Sequence, residues 1–126
     1  MTETSYAHGK ICYLMIPSRN VAESASFYSK VFNWNIRQHP SGETSFDDSV
    51  GQVAGMWLSD REPVANPGVE DHIVVAEARS TERMIVEHGG TLVWQSGPDD
   101  GETYGTFRDP IGNLLGYYQQ PGLGDP

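Results

Sequence analysis

FRDPIGNLLGYY, residues Phe107–Tyr118, has the apolar and aromatic content of a buried strand, yet Gly116 lies within it. A glycine inside a strand weakens it and usually marks a bulge or the close approach of another group. An earlier stretch, GQVAGMW (51–57), has the same succession of residue types as GNLLGYY (112–118). Gly55 and Gly116 are therefore predicted to be equivalent residues of an internal repeat.

The elements around these two stretches also follow the same order. In the first half we predict a strand, a helix capped by Asn20 with Glu23 in the capping-box position, and three strands: 10–17, 20–33, 34–39, 43–48 and 52–58. In the second half we predict a strand, a helix stopped by Gly89-Gly90, and three strands: 70–77, 78–88, 91–96, 103–109 and 113–120. Asp109, in the turn before the last strand, is predicted to cap backbone amides.

The repeat predicts one domain, residues 1–126, built from two βαβββ modules. The modules span 10–59 and 70–120, and a polar linker rich in proline and glycine, 59–69, joins them. The opening strands CYLMIP and DHIVVA align so that Tyr13 is opposite His72. The predicted class is therefore α+β, with two modules of one helix and four strands.

Duplicated βαβββ units ending in a Phe-x-Asp-Pro-x-Gly-Asn motif resemble the vicinal oxygen chelate superfamily. This superfamily is also called the glyoxalase / bleomycin resistance protein / dioxygenase group. FYSKVFNW after the first strand and FRDPIGNLLGYY at the end carry the resemblance. The resemblance implies an open, cup-shaped mixed sheet with the helices outside, and a cavity closed by two units from one chain or two. A homodimer is expected.

Metal-using members of this superfamily carry His, Gln or Glu ligands on the first, fourth, fifth and eighth strands. Carried over by motif, these positions are Tyr13, Gly55, His72 and Gly116. One imidazole does not hold a catalytic zinc or iron, which needs about three protein ligands. No metal or other cofactor is predicted. The alternative is a divalent metal held by non-standard ligands, for which the candidates are Glu43, Asp47, Glu70 and Glu102.

Alternation along the strands indicates which side chains line the cup. Leu14, Ile16, Ile73 and Val75 are expected beneath the helices, and Cys12 is expected on that side as an inert core thiol. The predicted ligand-binding residues, all expected to face the cup, are Tyr13, Met15, Gly55, Trp57, His72, Leu114, Gly116 and Tyr118. We expect a bound molecule, or Tyr13 and His72 from the opposite wall, to come close to Gly116.

Composition limits the class of ligand. Eight Lys and Arg against 17 Asp and Glu give a net charge of −9, which argues against nucleic acid and anionic membranes as partners. This charge suits a cationic ligand or simply serves solubility. A single cysteine excludes a disulfide framework, and a cytoplasmic location is predicted.

Three functions remain open on the sequence. The first is metal-independent binding of a small organic molecule, cationic or aromatic, by an aromatic-lined cup. The second is a lyase or isomerase that uses His72 as a general acid or base, because imidazole titrates near neutrality. The third is a divalent-metal enzyme with non-standard ligands.

Overall fold

The structure is a computed structural model that describes residues 7–97 and 101–123. The chain divides into two compact units, Met1–Glu62 and Pro63–Pro126, which we call module 1 and module 2. Within the described residues, each module contains one helix and one four-stranded sheet. The predicted α+β fold of two βαβββ modules is confirmed.

Module 1 has the element order strand, helix and three strands. Its sheet has the order β1-β4-β3-β2, in which β1 and β4 are parallel and the other pairs are antiparallel. The elements are β1 (Tyr13–Pro17), α1 (Val21–Phe32), β2 (Asn35–Gln38), β3 (Thr44–Asp47) and β4 (Ala54–Leu58).

Module 2 repeats this topology. Its sheet has the order β5-β8-β7-β6, with β5 parallel to β8 and the other pairs antiparallel. The elements are β5 (His72–Val75), α2 (Ala78–Glu87), β6 (Thr91–Gln95), β7 (Tyr104–Arg108) and β8 (Leu114–Gln119).

The helix boundaries follow from their capping residues. The Asn20 side chain accepts a hydrogen bond from the Glu23 amide at 3.1 Å, as predicted for the start of α1. Asn33 ends α1 in the left-handed conformation, with φ 62°. At the start of α2 the Glu77 carboxylate accepts from the amides of Arg79 and Ser80, which holds the pKa of Glu77 below its ordinary value.

Each sheet has a helix face, covered by its own helix, and an open face on the other side. In module 1, Ile16 is buried on the helix face, whereas Tyr13 and Met15 on the open face are 43% and 56% exposed. In module 2, Val75 is buried and Val74 is 57% exposed. The predicted faces of the two opening strands are therefore confirmed.

Cys12 does not have the predicted position. The first strand begins at Tyr13 rather than Lys10, so the alternation of the strand does not extend to Cys12. Its thiol is exposed, and its carbonyl accepts a hydrogen bond from the Ala54 amide. The prediction of a core thiol is wrong.

The last strands of the two modules, β4 and β8, are equivalent, but their alignment differs by one residue from the predicted one. The loops before these strands explain the difference. Asp48 and Asp109 hold the two loops in the same way: their carbonyls accept from the amides of Gly51 and Gly112. The chain then rejoins the sheet through Val53 in module 1 and Asn113 in module 2, which bond to the Asp48 and Asp109 amides. The module 1 loop is therefore one residue longer.

A one-residue shift in a strand moves every side chain to the opposite face. Gly55 and Trp57 consequently lie on the helix face of module 1, where Trp57 is 3% exposed. The Trp57 ring contacts Tyr28 of α1, with centroids 6.0 Å apart. The prediction that Gly55 and Trp57 face the cup is wrong, because both lie on the helix face of module 1.

Candidate functional site

The open face of module 2 brings together four of the predicted site residues. His72 pairs with Gly116 and Val74 with Tyr118 across the β5–β8 ladder. Leu114 precedes Gly116 by two residues on β8 and so lies on the same face. His72, Leu114, Gly116 and Tyr118 thus form one surface, and their role in binding stays a prediction.

The group that comes close to Gly116 is the imidazole of His72. A Cβ atom at residue 116 would lie 2.8 Å from Nε2 of His72 and closer still to Nδ1 and Cε1. The ring comes from the adjacent strand of the same sheet, not from an opposite wall. Because Gly116 has no side chain, the imidazole can occupy this space, and a side chain at residue 116 would displace the ring.

His72 has a carboxylate beside it. Its Nε2 lies 3.5 Å from Oε1 of Glu70, and the two side chains are 42% and 41% exposed. Glu70 precedes His72 by two residues, just before β5 begins. The carboxylate can orient the ring through Nε2, and both groups remain accessible to a molecule on the open face.

Two further aromatic residues on this face were missed by the sequence reasoning. Tyr104 on β7 pairs with Tyr118, and its ring lies 5.2 Å from that of Trp94 on β6. Trp94 is 47% exposed. Alternation through Tyr104, Thr106 and Arg108 could have identified Tyr104. Together Tyr118, Tyr104 and Trp94 form a row across three strands, which we call the aromatic row.

The open face of module 1 has a different character. Tyr13 and Met15 on β1 pair with Ala54 and Met56 on β4, which gives a surface rich in thioether and apolar groups. Farther across the sheet, Arg37 Nε lies 3.0 Å from Asp47 Oδ2. Tyr13 and Met15, both predicted site residues, therefore lie on the open face of module 1, as expected from the alternation along β1.

The residues at the predicted metal positions do not fit a metal. The space at Gly55 is filled by the Phe46 ring, with Cε1 2.9 Å from a Cβ placed there, and the space at Gly116 by His72. Of the alternative ligands, Asp47 is paired with Arg37, and Glu70 lies beside a single imidazole among the described residues. Within the described residues, no three His, Cys, Asp or Glu side chains are grouped to hold a metal.

Asp109 is confirmed as a structural residue. Its Oδ1 accepts from the amides of Ile111, Gly112 and Asn113 at 2.9–3.0 Å, and its Oδ2 accepts from the Asn113 side chain. Both residues are buried. These bonds fix the turn from which β8 begins, and so they position Gly116 under His72.

A second group of polar residues lies on the helix face of module 2. The Arg79 guanidinium donates to both oxygens of Glu82 at 3.0 and 2.7 Å, and the Tyr117 hydroxyl donates to Oε2. Burial raises the pKa of Glu82, but hydrogen bonds from Tyr117, Arg79 and Gln95 outweigh burial and lower it overall. Burial and the bond to Glu82 raise the pKa of Tyr117.

Comparison with known proteins identifies the family. The sequence profile of the glyoxalase-like domain matches residues 13–116. The chain belongs to the glyoxalase-like domain family. It is thus a member of the vicinal oxygen chelate superfamily, as the sequence motifs predicted. In a separate comparison, no protein of curated function matched this glyoxalase-like domain in sequence.

Solved structures with the same fold are distant in sequence. A superfamily member from Sphaerobacter thermophilus has a TM-score of 0.70 at 14% identity, with 89% of this chain and 98% of that chain covered. A hypothetical protein from S. aureus has a TM-score of 0.69 at 15% identity, with 91% and 96% covered. The fosfomycin resistance protein FosX from Listeria monocytogenes has a TM-score of 0.66 at 14% identity, with 94% and 97% covered. These likenesses show the fold alone.

None of the described helices is long and apolar enough to cross a membrane.

Proposed function

We propose that this glyoxalase-like domain binds a small, flat organic cation on the open face of module 2, without a metal. The observation that carries the proposal is the aromatic row, Tyr118, Tyr104 and Trp94, which lies across three adjacent strands. Aromatic faces attract both flat rings and cations, and the attraction is strongest for tryptophan.

Charge supports a cationic ligand. Glu70 is 41% exposed and lies beside His72. His72 is on β5, which is adjacent to β8, the strand that carries Tyr118. The whole chain carries a net charge of −9, which attracts cations and repels anions before contact. The hydrophobic side chains of Leu114 and Val74 supply apolar contact between these polar groups.

The names of solved structures with this fold are consistent with binding of a small molecule. Structures similar to this chain include a fosfomycin resistance protein and members of a family named for bleomycin resistance. For this chain we propose binding without turnover, and without a metal because the donor set does not fit one. The homodimer and the cytoplasmic location remain predictions.

Tryptophan fluorescence provides a direct test. Of the three tryptophans, Trp34 and Trp57 are buried, at 6% and 3% exposure, whereas Trp94 is 47% exposed. Titration with ethidium, a planar aromatic cation, should quench Trp94 saturably, whereas fluorescein, a planar aromatic anion, should not. Trp94→Ala should weaken ethidium binding, measured by calorimetry, at least about tenfold, equivalent to about 1.4 kcal/mol.

The matched control is Val50→Ala, since Val50 is 54% exposed and belongs to module 1, whereas the aromatic row belongs to module 2. It should leave the ethidium affinity unchanged. Equal affinity of ethidium for Trp94→Ala and for the unmodified protein would refute the proposal, and so would the absence of saturable binding.

One observation favours a second candidate, acid/base catalysis by His72. The 3.5 Å contact with Glu70 is the arrangement in which a carboxylate orients an imidazole for proton transfer. In this case His72→Gln should abolish turnover of any substrate found in an activity screen, with the fold unchanged by circular dichroism. Unchanged kinetics in His72→Gln would exclude this role.

A further inference from the structure

The open face of module 1 brings two methionines together. Met15 on β1 pairs with Met56 on β4. Their chain neighbours Ile16 and Trp57 are buried on the helix face, so alternation places both methionines on the open face. Met15 is 56% exposed and Met56 is half-buried. Since neither thioether is enclosed in the core, both are available to bind an ion from solution.

The imidazole of His39 reaches the same surface. Ser45 on β3 pairs with Met56, so the Ser45 hydroxyl also lies on the open face. His39 follows β2, and its Nε2 lies 2.7 Å from the hydroxyl oxygen of Ser45. The ring is thus held over the strand next to Met56. No residue that the structure describes bonds to Nδ1 of His39. When Nε2–H donates to Ser45, Nδ1 therefore carries a free lone pair.

The spacing of these side chains suits a shared ion. Met15, Met56 and Ser45 occupy matching positions on three adjacent strands, β1, β4 and β3. Neighbouring strands are about 4.8 Å apart. With a metal–sulfur bond of about 2.3 Å, two sulfurs on one ion lie no more than about 4.6 Å apart. The two thioethers can therefore bridge one ion, with the imidazole on the next strand beside them.

The donor set selects the class of ion. Thioethers are soft ligands that favour Cu(I), and imidazole also suits copper. Zinc in proteins is bound instead by thiolate, imidazole and carboxylate. Two thioethers and a neutral imidazole bring no negative charge, and Asp47 on β3 is held by Arg37 at 3.0 Å. A monovalent ion is favoured, because dehydration of a divalent ion costs more and no anionic ligand offsets that cost.

We propose that Met15, Met56 and His39 form a binding site for Cu(I), in which Ser45 positions the imidazole. The ligands of metal-bound histidines characteristically have such a partner on the second ring nitrogen. The site shares no residue with the four metal positions that the superfamily implies. It lies in module 1, so it does not depend on the proposed binding of an organic cation by module 2.

Anaerobic competition with bicinchoninate, a chromogenic Cu(I) chelator, tests the methionines. The exposed Cys12 thiol would compete for Cu(I), so every measurement uses the Cys12→Ser protein. This protein should bind one Cu(I) per chain. Met15→Leu and Met56→Leu conserve volume and should each weaken Cu(I) binding at least about tenfold. The matched control is Met84→Leu on α2, which is half-buried like Met56 and should leave the affinity unchanged.

Two further variants test the imidazole. His39→Gln should also weaken Cu(I) binding at least about tenfold, whereas His88→Gln at the end of α2 should not change it. Ser45→Ala keeps all three ligands and should still weaken binding about tenfold, the usual effect of removing the partner of a metal-bound histidine. A role of Ser45 in stability alone would change urea unfolding and leave the Cu(I) affinity as it is.

Three results would overturn the proposal. The first is the absence of stoichiometric Cu(I) binding by the Cys12→Ser protein. The second is unchanged affinity in both Met15→Leu and Met56→Leu. The third is Zn(II) binding as tight as Cu(I) binding, since thioethers do not select zinc. Circular dichroism of each variant separates loss of the site from loss of the fold.

Discussion

The two modules share one topology but fill the space between helix and sheet in different ways. Module 1 uses stacked rings. Tyr28 of α1 stacks on Trp34 with centroids 4.5 Å apart, Trp34 stacks on Phe46 at 4.5 Å, and Phe46 contacts Trp57 at 4.7 Å. All four side chains are buried. This core is held by apolar area and ring contacts, which require little directional bonding.

Module 2 places a charged group in the corresponding position. Glu82 of α2 is 4% exposed, and Tyr117, the residue equivalent to Trp57, is fully buried. The carboxylate accepts bonds from Arg79 and Tyr117, so its burial is compensated. Ile85 and Phe107 supply the apolar part of this core.

The difference shows that the βαβββ topology requires neither an aromatic core nor a buried carboxylate. A stacked aromatic core gains stability from burial, and it tolerates small shifts of one ring against another. A buried carboxylate with fixed partners is costly to disturb, because any shift leaves a polar group without its bond. Module 2 should therefore respond more sharply than module 1 to changes in its core.

The largest effect is expected from Glu82→Leu. The substitution leaves the buried Tyr117 hydroxyl without its acceptor and removes the partner of Arg79. We expect a loss of about 2–4 kcal/mol in the free energy of unfolding. Because Arg79 is 44% exposed and can turn to solvent, the loss should be at the lower end of that range. Urea unfolding followed by circular dichroism measures it.

A double-mutant cycle makes this test specific. Replacing both partners with apolar groups of similar shape is close to neutral. Glu82→Leu/Tyr117→Phe should therefore recover at least half of the loss and make module 2 resemble module 1. If the losses of the two single variants simply add, the Tyr117–Glu82 bond is not what stabilises this core.

The sequence was sufficient for features that depend on local rules. The order of elements, the Asn20 cap and the faces of β1 and β5 follow from capping chemistry and from alternation within one strand. These rules hold over a few residues and need no knowledge of the rest of the chain. This is why the inward positions of Ile16 and Val75 were predicted correctly.

The faces of β4 and β6 could not be read in the same way. The loop in module 1 has one more residue than the loop in module 2. This difference is seen only in the backbone hydrogen bonds, because the Asp48 amide bonds to the Val53 carbonyl and the Asp109 amide to the Asn113 carbonyl. In β6 the register shifts between Leu92 and Trp94, so these residues, two apart, lie on opposite faces. Alternation alone would have placed Trp94 beneath α2. In both strands, backbone bonding to the neighbouring strand decides which face a side chain takes, and the sequence does not show that bonding.

Gly55 and Gly116, the glycines within β4 and β8, give a second comparison of the modules. Substitution of Gly55 in module 1 should have an intermediate effect on the free energy of unfolding. A Cβ at Gly55 would meet the buried Phe46 ring and the backbone carbonyl of Leu14. Neither can move freely, because Phe46 stacks on Trp34 and packs against Trp57, and Leu14 is part of the β1–β4 ladder. We expect Gly55→Ala to lower the free energy of unfolding by about 1–3 kcal/mol. A change below about 0.5 kcal/mol in urea unfolding would show that the aromatic core is looser than its contacts indicate.

The smallest effect on stability is expected from the corresponding substitution in module 2, Gly116→Ala. The three atoms nearest the new methyl group would all belong to the imidazole of His72, which is 42% exposed and can turn away from the strand. The free energy of unfolding should change by less than about 0.5 kcal/mol, as for a surface substitution. Turning the ring breaks its contact with Glu70, however, so ethidium binding should weaken while stability is preserved. A large loss of stability would mean instead that the imidazole is fixed over Gly116, and that this pair is part of the core rather than of the binding face.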